Sequence, residues 1–304
     1  MVKEMTMAVT AESVATPPAW FIGAVAQTPE RREVEVAGSP VHLRCWGRAG
    51  SPGVVLVHGG SANSSWWDHI APLLATTHRV VAPDLSGHGD SGVRARYPIE
   101  VWADEVMAAA AAGGIEGRPH IVGHSMGGRV SAVVGARHPE SVASLIIIDS
   151  PFQEPSAESI ATQLHRRPKI YPTLDEICGR FRTLPPQAVL LPYVARHVAE
   201  ESVRETSDGW AWKFDPEMLG KRLEHGIIPP LDSFRGVRAP VLYIRCERGL
   251  VSPERALEIA DLFGQPATVV DLAEAGHHPM MDQPLPLVAT LRTALAQWSA
   301  ARPE

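Results

Sequence analysis

Pro119-His120-Ile121-Val122-Gly123-His124-Ser125-Met126-Gly127-Gly128-Arg129-Val130 is the stretch that decides how this chain is read. Pro119 to Val122 reads as the end of a strand, and Met126 to Val134 as the opening of a helix. Between them, Gly123 to Gly127 puts Ser125 at the centre of a Gly-x-Ser-x-Gly pentapeptide. A sharp strand-to-helix turn holds such a serine hydroxyl clear of the backbone, which is the setting of a nucleophile. The small glycines let strand and helix approach closely. By chance alone the pentapeptide turns up in roughly one chain of this length in ten, so its surroundings decide its meaning.

Outward from Ser125, strand-like and helix-like segments alternate. Arg32 to Val36 and Val41 to Trp46 read as a hairpin around Gly38-Ser39-Pro40. Val54 to Val57 is a continuous apolar run ending at His58-Gly59-Gly60, which suits a strand buried on both faces of a parallel sheet. Trp66 to Ala75 reads as a helix, Arg79 to Ala82 as a strand, and Pro83 to Gly92 as a turn-rich loop. Ile99 to Ala112 is an alanine-rich helix stopped by Gly113-Gly114. Ala143 to Ile148 is a further buried strand, closed by Asp149-Ser150-Pro151.

The rhythm then breaks. From Pro151 to about Pro230 prolines are frequent, strand runs disappear, and an aromatic group (Trp210, Trp212, Phe214) stands among charged helical pieces. The α/β rhythm resumes with Val241 to Cys246, a helix from Pro253 to Leu262, a strand from Ala267 to Leu272, and a helix from about Leu285 to Trp298. The expected organisation is an N-terminal arm (1–31), an α/β core (32–150 and 231–304) and a helical cap inserted at 151–230. Within the arm, Pro17 to Pro29 is expected to form a short helix or strap on the body.

Composition narrows the class. The chain has 304 residues, 45% of them apolar and 20% charged, with a formal net charge of −6. No basic stripe points to nucleic acid, and no polybasic run points to an anionic membrane surface. No run of about 18 apolar residues exists, so no spanning helix is expected. The opening residues carry no convincing export signal, since Lys3 is followed by Glu4 and the apolar run from Ala19 to Ala26 is short. Cys45, Cys178 and Cys246 are odd in number and far apart, which supports neither a zinc site nor a disulfide framework. A cytoplasmic protein acting on a small molecule, as monomer or homodimer, is the expectation.

Serine needs a base to take its proton, an acid to orient that base, and donors for a developing oxyanion. Of thirteen histidines, His277 and His278 sit just after the last strand, in Ala275-Gly276-His277-His278-Pro279. His277 directly follows the glycine and is the preferred base; His278 is the lesser candidate. One oxyanion donor is the N–H of Met126, the residue after the nucleophile. The other comes from the loop after Val57, with Gly60 preferred and Ser61 the alternative.

His58-Gly59-Gly60, the Asp84 to Ser91 loop, Gly123 to Gly127 and Gly276-His277 stand in the order found in the α/β-hydrolase superfamily, which the chain resembles from about Glu33 onward. The resemblance implies an α/β-hydrolase fold with a mostly parallel central sheet flanked by helices, a Ser-His-acid triad, no metal and no organic cofactor. The acid departs from the family pattern. Members commonly carry an aspartate three or four residues beyond a glycine at the end of the strand that here reads Val241 to Arg245. This chain has Cys246-Glu247-Arg248-Gly249-Leu250-Val251 there. Asp149, at an alternative position some members use, is the preferred acid, and Glu247 the competitor.

Other groups receive blander readings. Asp84, His88 and Asp90 resemble a metal cluster but sit in a loop the superfamily uses structurally. Trp66 and Trp67 read as core. Trp210, Trp212 and Phe214 either wall a pocket or hold the cap together, and Arg166-Arg167 reads as a solvated pair. The expected function is hydrolysis of a carboxylic ester or lactone through an acyl-enzyme on Ser125. The alternatives are carbon–carbon hydrolysis of a diketone-like acid and a non-catalytic ligand-binding protein on the same fold.

Overall fold

The apolar runs pair edge to edge. In the computed structural model, which describes residues 16–153, 169–223, 231–265 and 267–300, they form one eight-stranded sheet. The chain enters through helix α1 (Ala19–Val25), then strands β1 (Glu30–Val36), β2 (Ser39–Trp46) and β3 (Gly53–Val57). Helix α2 (Ala71–Leu74), strand β4 (Arg79–Pro83), helix α3 (Ile99–Ala112), strand β5 (His120–His124), helix α4 (Met126–Arg137) and strand β6 (Ser144–Ile148) follow. Next come helices α5 (Leu174–Cys178) and α6 (Pro192–Glu201), strands β7 (Val203–Thr206) and β8 (Gly209–Trp212), and helix α7 (Met218–Leu223). The chain closes with strand β9 (Val241–Arg248), helix α8 (Pro253–Ala260), strand β10 (Thr268–Gly276) and helices α9 (Pro279–Asp282) and α10 (Pro284–Ala300).

The sheet order is β1-β2-β4-β3-β5-β6-β9-β10, antiparallel at β1/β2 and β2/β4 and parallel from β4 onward. Side chains alternate between its faces, as period-two geometry requires. Val55, Val57, Ile121, Leu145, Ile147 and Tyr243 pack with α3 and α4 through Trp102, Val106 and Val130. Val54, Leu56, Val122, Ile146, Ile148 and Ile244 pack on the other side with Phe21, Trp67, Leu287 and Leu291. Burial on both faces explains why β3 to β6 read as unbroken apolar runs. The direction of winding reverses beside β3, with β4 on one side and β5 on the other. The crevice at the carboxyl ends of β3 and β5 is where an open α/β sheet takes its ligand.

Two readings change. The helix expected over Trp66 to Ala75 is a 3-10 turn (Ser64–Trp67) followed by the short α2. The Asn63 side chain caps the turn by accepting from Ser65 N, and Pro72 begins the second piece rather than continuing the first. The stretch read as lacking strands contains the hairpin β7–β8, which turns at Ser207-Asp208, with Gly209 at φ 131° opening β8. Trp210 and Trp212 pack there with Tyr171, Ile177 and Val203. Part of the expected cap, and Arg166-Arg167 with it, lies outside the described residues. Helix α1 forms within the expected strap, and its Phe21 meets Tyr193 and His197 of α6. Among the described residues no helix is long and apolar enough to cross a membrane.

Asp84 organises the loop after β4. Its buried carboxylate accepts from Ser64 N at 2.7 Å, Asp90 N at 2.9 Å and His42 Nδ1 at 3.2 Å. Burial pushes its pKa up, but the hydrogen bonds from His42, Asp90 and Ser64 outweigh this and hold it below the ordinary carboxylate range. His88 is turned away, with Nδ1 donating to the Leu85 carbonyl. A carboxyl with a depressed folded pKa stabilises above its unfolded pKa of about 3.9, and that stability fades as pH falls further. Asp84→Asn is therefore expected to lower stability at pH 7 by about 1–3 kcal/mol in urea unfolding. The gap to the native protein narrows below about pH 4; a gap that is constant with pH contradicts this account.

Candidate active site

Ser125 occupies the turn between β5 and α4 with φ 53° and ψ −116°, a conformation L-residues rarely adopt. Strain of this kind is about 1–3 kcal/mol and survives only where the surroundings fix it. Here Ser125 N donates to the Ile148 carbonyl at 3.0 Å and Gly128 N donates to the Ser125 carbonyl at 3.0 Å. Glycine is required where α4 starts against β3: a Cβ on Gly127 would collide with the Val57 carbonyl oxygen and stand 2.5 Å from that of His58.

Asp149 follows β6 and is fully buried. Its Oδ1 accepts from Cys246 N at 3.3 Å, and its Oδ2 accepts from Leu250 N at 2.8 Å and faces His277 Nδ1 at 2.7 Å. The opposite ring nitrogen, His277 Nε2, lies 3.0 Å from Ser125 Oγ. Ser125, His277 and Asp149 are thus brought into one hydrogen-bonded row. Glu247 is not part of it. That side chain is exposed, and its Oε2 accepts from Glu274 N at 2.6 Å. Gly249 makes room for the arrangement, because a Cβ there would fall 2.3 Å from Asp149 Oδ2.

Met126 is the first residue of α4, so its N–H has no acceptor within the helix and sits at the positive end of the helix dipole. Gly60 and Ser61 lie exposed in one turn closed by Ala62 N on the Gly59 carbonyl. A Cβ on Gly60 would be 3.9 Å from Met126 Sδ, so the turn faces the start of α4. The neighbouring N–H groups of Gly60 and Ser61 both remain candidates for the second donor.

Several bracing residues escaped the sequence reading. His58 joins the Gly60 turn to the Asp84 loop: Leu85 N donates to its Nε2 at 3.0 Å while its Nδ1 donates to the Gly59 carbonyl at 2.7 Å. Burial lowers its pKa, which keeps the ring neutral and both bonds intact. His124 donates from Nε2 to the His277 carbonyl at 2.7 Å, and burial, together with His277 and His278, holds its pKa well below the ordinary histidine range. Asp282 accepts from Gly276 N at 2.7 Å and so fixes the other side of the His277 loop. The signal for His124 was a polar residue ending an otherwise apolar strand; Asp282 gave none.

His278 lies beside His277 but outside the Asp149–His277–Ser125 row. Its ring is buried against Trp66 at 5.5 Å between centroids, and burial, then His277, brings its pKa down to about 3. Trp67 is fully buried and Trp66 nearly so, as core residues. The rings continue outward from Trp66 to Phe181 at 6.0 Å and from Phe181 to Trp212 at 6.1 Å. Phe214 pairs by backbone with His88 and lies apart from that row. Cys45 and Cys246 are buried, and Cys178 is half-buried.

A model of the alpha/beta hydrolase family matches residues 54–291. A fluoroacetate dehalogenase of Burkholderia sp. is 36% identical over 126 residues, 40% of this chain and 40% of that protein. A pimeloyl-[acyl-carrier protein] methyl ester esterase of Neisseria meningitidis is 36% identical over 130 residues, 43% of this chain and 47% of that protein. The match spans less than half the length of either relative. The crystal structure of an E-2-(acetamidomethylene)succinate hydrolase aligns with TM-score 0.75 at 22% identity, covering 88% of this chain and 99% of that one, a likeness of fold.

The geometry separates the two acids in one experiment. Asp149→Asn is expected to slow labelling of Ser125 by a fluorophosphonate by about 10⁴-fold, since the wrong His277 tautomer is then favoured. Glu247→Gln, an exposed change, stays within about twofold of the native rate. The reverse pattern would assign the acid to Glu247.

Proposed function

This chain belongs to the alpha/beta hydrolase family, and from that premise we propose that it hydrolyses a carboxylic ester or lactone of a small, largely apolar molecule. The observation that carries the proposal is the row from Asp149 through His277 to Ser125 at 2.7 and 3.0 Å. His277 Nε2 takes the Ser125 proton as Oγ attacks the carbonyl carbon. The N–H groups of Met126 and Gly60 receive the developing oxyanion. His277 then passes its proton to the departing alkoxide, leaving an acyl group on Ser125. Water, losing a proton to His277, attacks the acyl carbon; the acid departs and Ser125 recovers its proton. Throughout, Asp149 holds Nδ1–H and stabilises the imidazolium.

Serine at the elbow favours acyl transfer. Displacement from an alkyl carbon through an enzyme ester uses a carboxylate nucleophile, and residue 125 is not one. The aromatic row Trp66, Phe181, Trp212 supports an apolar acyl or alcohol portion, since it begins beside His278 and runs outward from the triad.

A panel of p-nitrophenyl esters of increasing acyl length, run beside lactones, tests the reading. Ser125→Ala is expected to lose at least about 10⁴-fold in kcat. Phe181→Ala raises KM for a hexanoyl ester by about fivefold or more while leaving the acetyl ester nearly unchanged, as loss of apolar contact predicts. Undiminished turnover by Ser125→Ala contradicts the proposal, and release of a carbon acid in place of an alcohol would move it to carbon–carbon hydrolysis.

A further inference from the structure

Three histidine rings meet beside the nucleophile, and acyl transfer uses the side chain of only one. His124, His277 and His278 are all buried, at 1%, 4% and 5% exposure. Their ring centroids are 4.8 Å apart for His124–His277, 5.2 Å for His124–His278 and 4.6 Å for His277–His278. One nitrogen from each ring lies within 4.8 Å of the other two.

The two rings without a role in proton transfer hold unused nitrogens. Among the described residues, His124 Nδ1 and both ring nitrogens of His278 lack a partner at hydrogen-bond geometry. The carbonyls of Leu184 and Pro185 interact with His278 without reaching that geometry. No side chain covers His124 Nδ1 from the side of Gly59, where a Cβ would stand 2.9 Å away. Buried polar atoms left unpaired are destabilising and call for an occupant.

We propose that His124, His277 and His278 form an inhibitory binding site for a transition-metal dication of the zinc class. Imidazole nitrogens are the donors such ions select, whereas magnesium and calcium take oxygen. Tetrahedral zinc with bonds of 2.0–2.1 Å sets its nitrogens about 3.3 Å apart, so modest ring rotation closes the present spacing. Asp149 is not drawn in, because its oxygens are engaged by Cys246 N, Leu250 N and His277. The lone pair that His277 would give the metal is the one that accepts the Ser125 proton. Coordination therefore removes the general base without removing a proton from the protein, and metal and substrate exclude one another. This inhibitory consequence rests on the proposed hydrolase function; the binding itself does not.

Calorimetric titration of the protein without a polyhistidine tag tests the site directly. A single zinc ion is expected to bind per chain with no response to magnesium, and His278→Gln weakens binding by about tenfold or more. Cobalt(II) added to the native protein develops the intense visible bands of tetrahedral coordination, a readout that does not depend on the variant folding. Bound zinc slows fluorophosphonate labelling of Ser125 by about tenfold or more, and EDTA restores the rate. Absence of single-site zinc binding, absence of the cobalt bands, or equal affinity in a folded His278→Gln overturns the site. A Ser125 that resists the label in the absence of metal contradicts the hydrolase reading alone, because calorimetry still decides the metal site.

Discussion

The 2.7 Å contact between His277 Nδ1 and the buried Asp149 carboxylate is the interaction on which the rest of the site depends. A carboxylate with no exposure keeps its charge only if its oxygens are satisfied. Asp149 satisfies its oxygens by gathering donors from separate segments: Cys246 in β9, Leu250 in the loop beyond it, and His277 after β10. One side chain at the end of β6 thus ties the carboxyl ends of the last three sheet strands into a single fixed edge. The sheet positions Asp149, Asp149 orients His277, and His277 reaches Ser125 across the end of β5.

Around that ion the neighbouring polar groups are kept uncharged. His58 and His124 are buried, with pKa values pushed down first by desolvation, so neutral rings brace the Gly60 turn and the His277 loop. Each uses its N–H toward a carbonyl, of Gly59 or of His277. In the proposed acyl transfer, a protonated ring at either place would bring a second positive charge near the imidazolium. Under that proposal, neutral braces leave Asp149 to stabilise that charge. The donors proposed for the opposite charge are backbone groups at the start of α4 and in the Gly60 turn, where no side chain has to be ordered.

Much of this was legible in the chain because the parallel strands are buried on both faces. Their apolar runs mark where each strand ends, and Gly60, Ser125 and Asp149 follow such ends, while His277 follows β10, a largely exposed edge strand. The structure brings Asp149 rather than Glu247 against His277, a result of register: Ile148 pairs with Ile244, which sets Asp149 level with Arg245 and within reach of Cys246 N. Residues acting through long-range contacts were not legible. His124 meets the carbonyl of a residue 153 positions away, and His58 meets Leu85 on a different loop. Gly249 matters only because a carboxylate 100 residues earlier fills its side-chain space, a fact of packing that local sequence does not record. The β7–β8 hairpin did carry a local signal in Ser207-Asp208-Gly209, but short strands of mixed polarity hide among helices.

The proposed hydrolysis requires Ser125 to carry an acyl group during turnover. Mixing the protein with p-nitrophenyl acetate, quenching in acid on the millisecond scale and mapping peptides by mass spectrometry reads this directly. A burst of p-nitrophenol is expected, matched by an acetyl group on the peptide bearing Ser125 and absent from Ser125→Ala. Steady turnover with no acyl adduct, or an adduct on another residue such as Cys178, would contradict it.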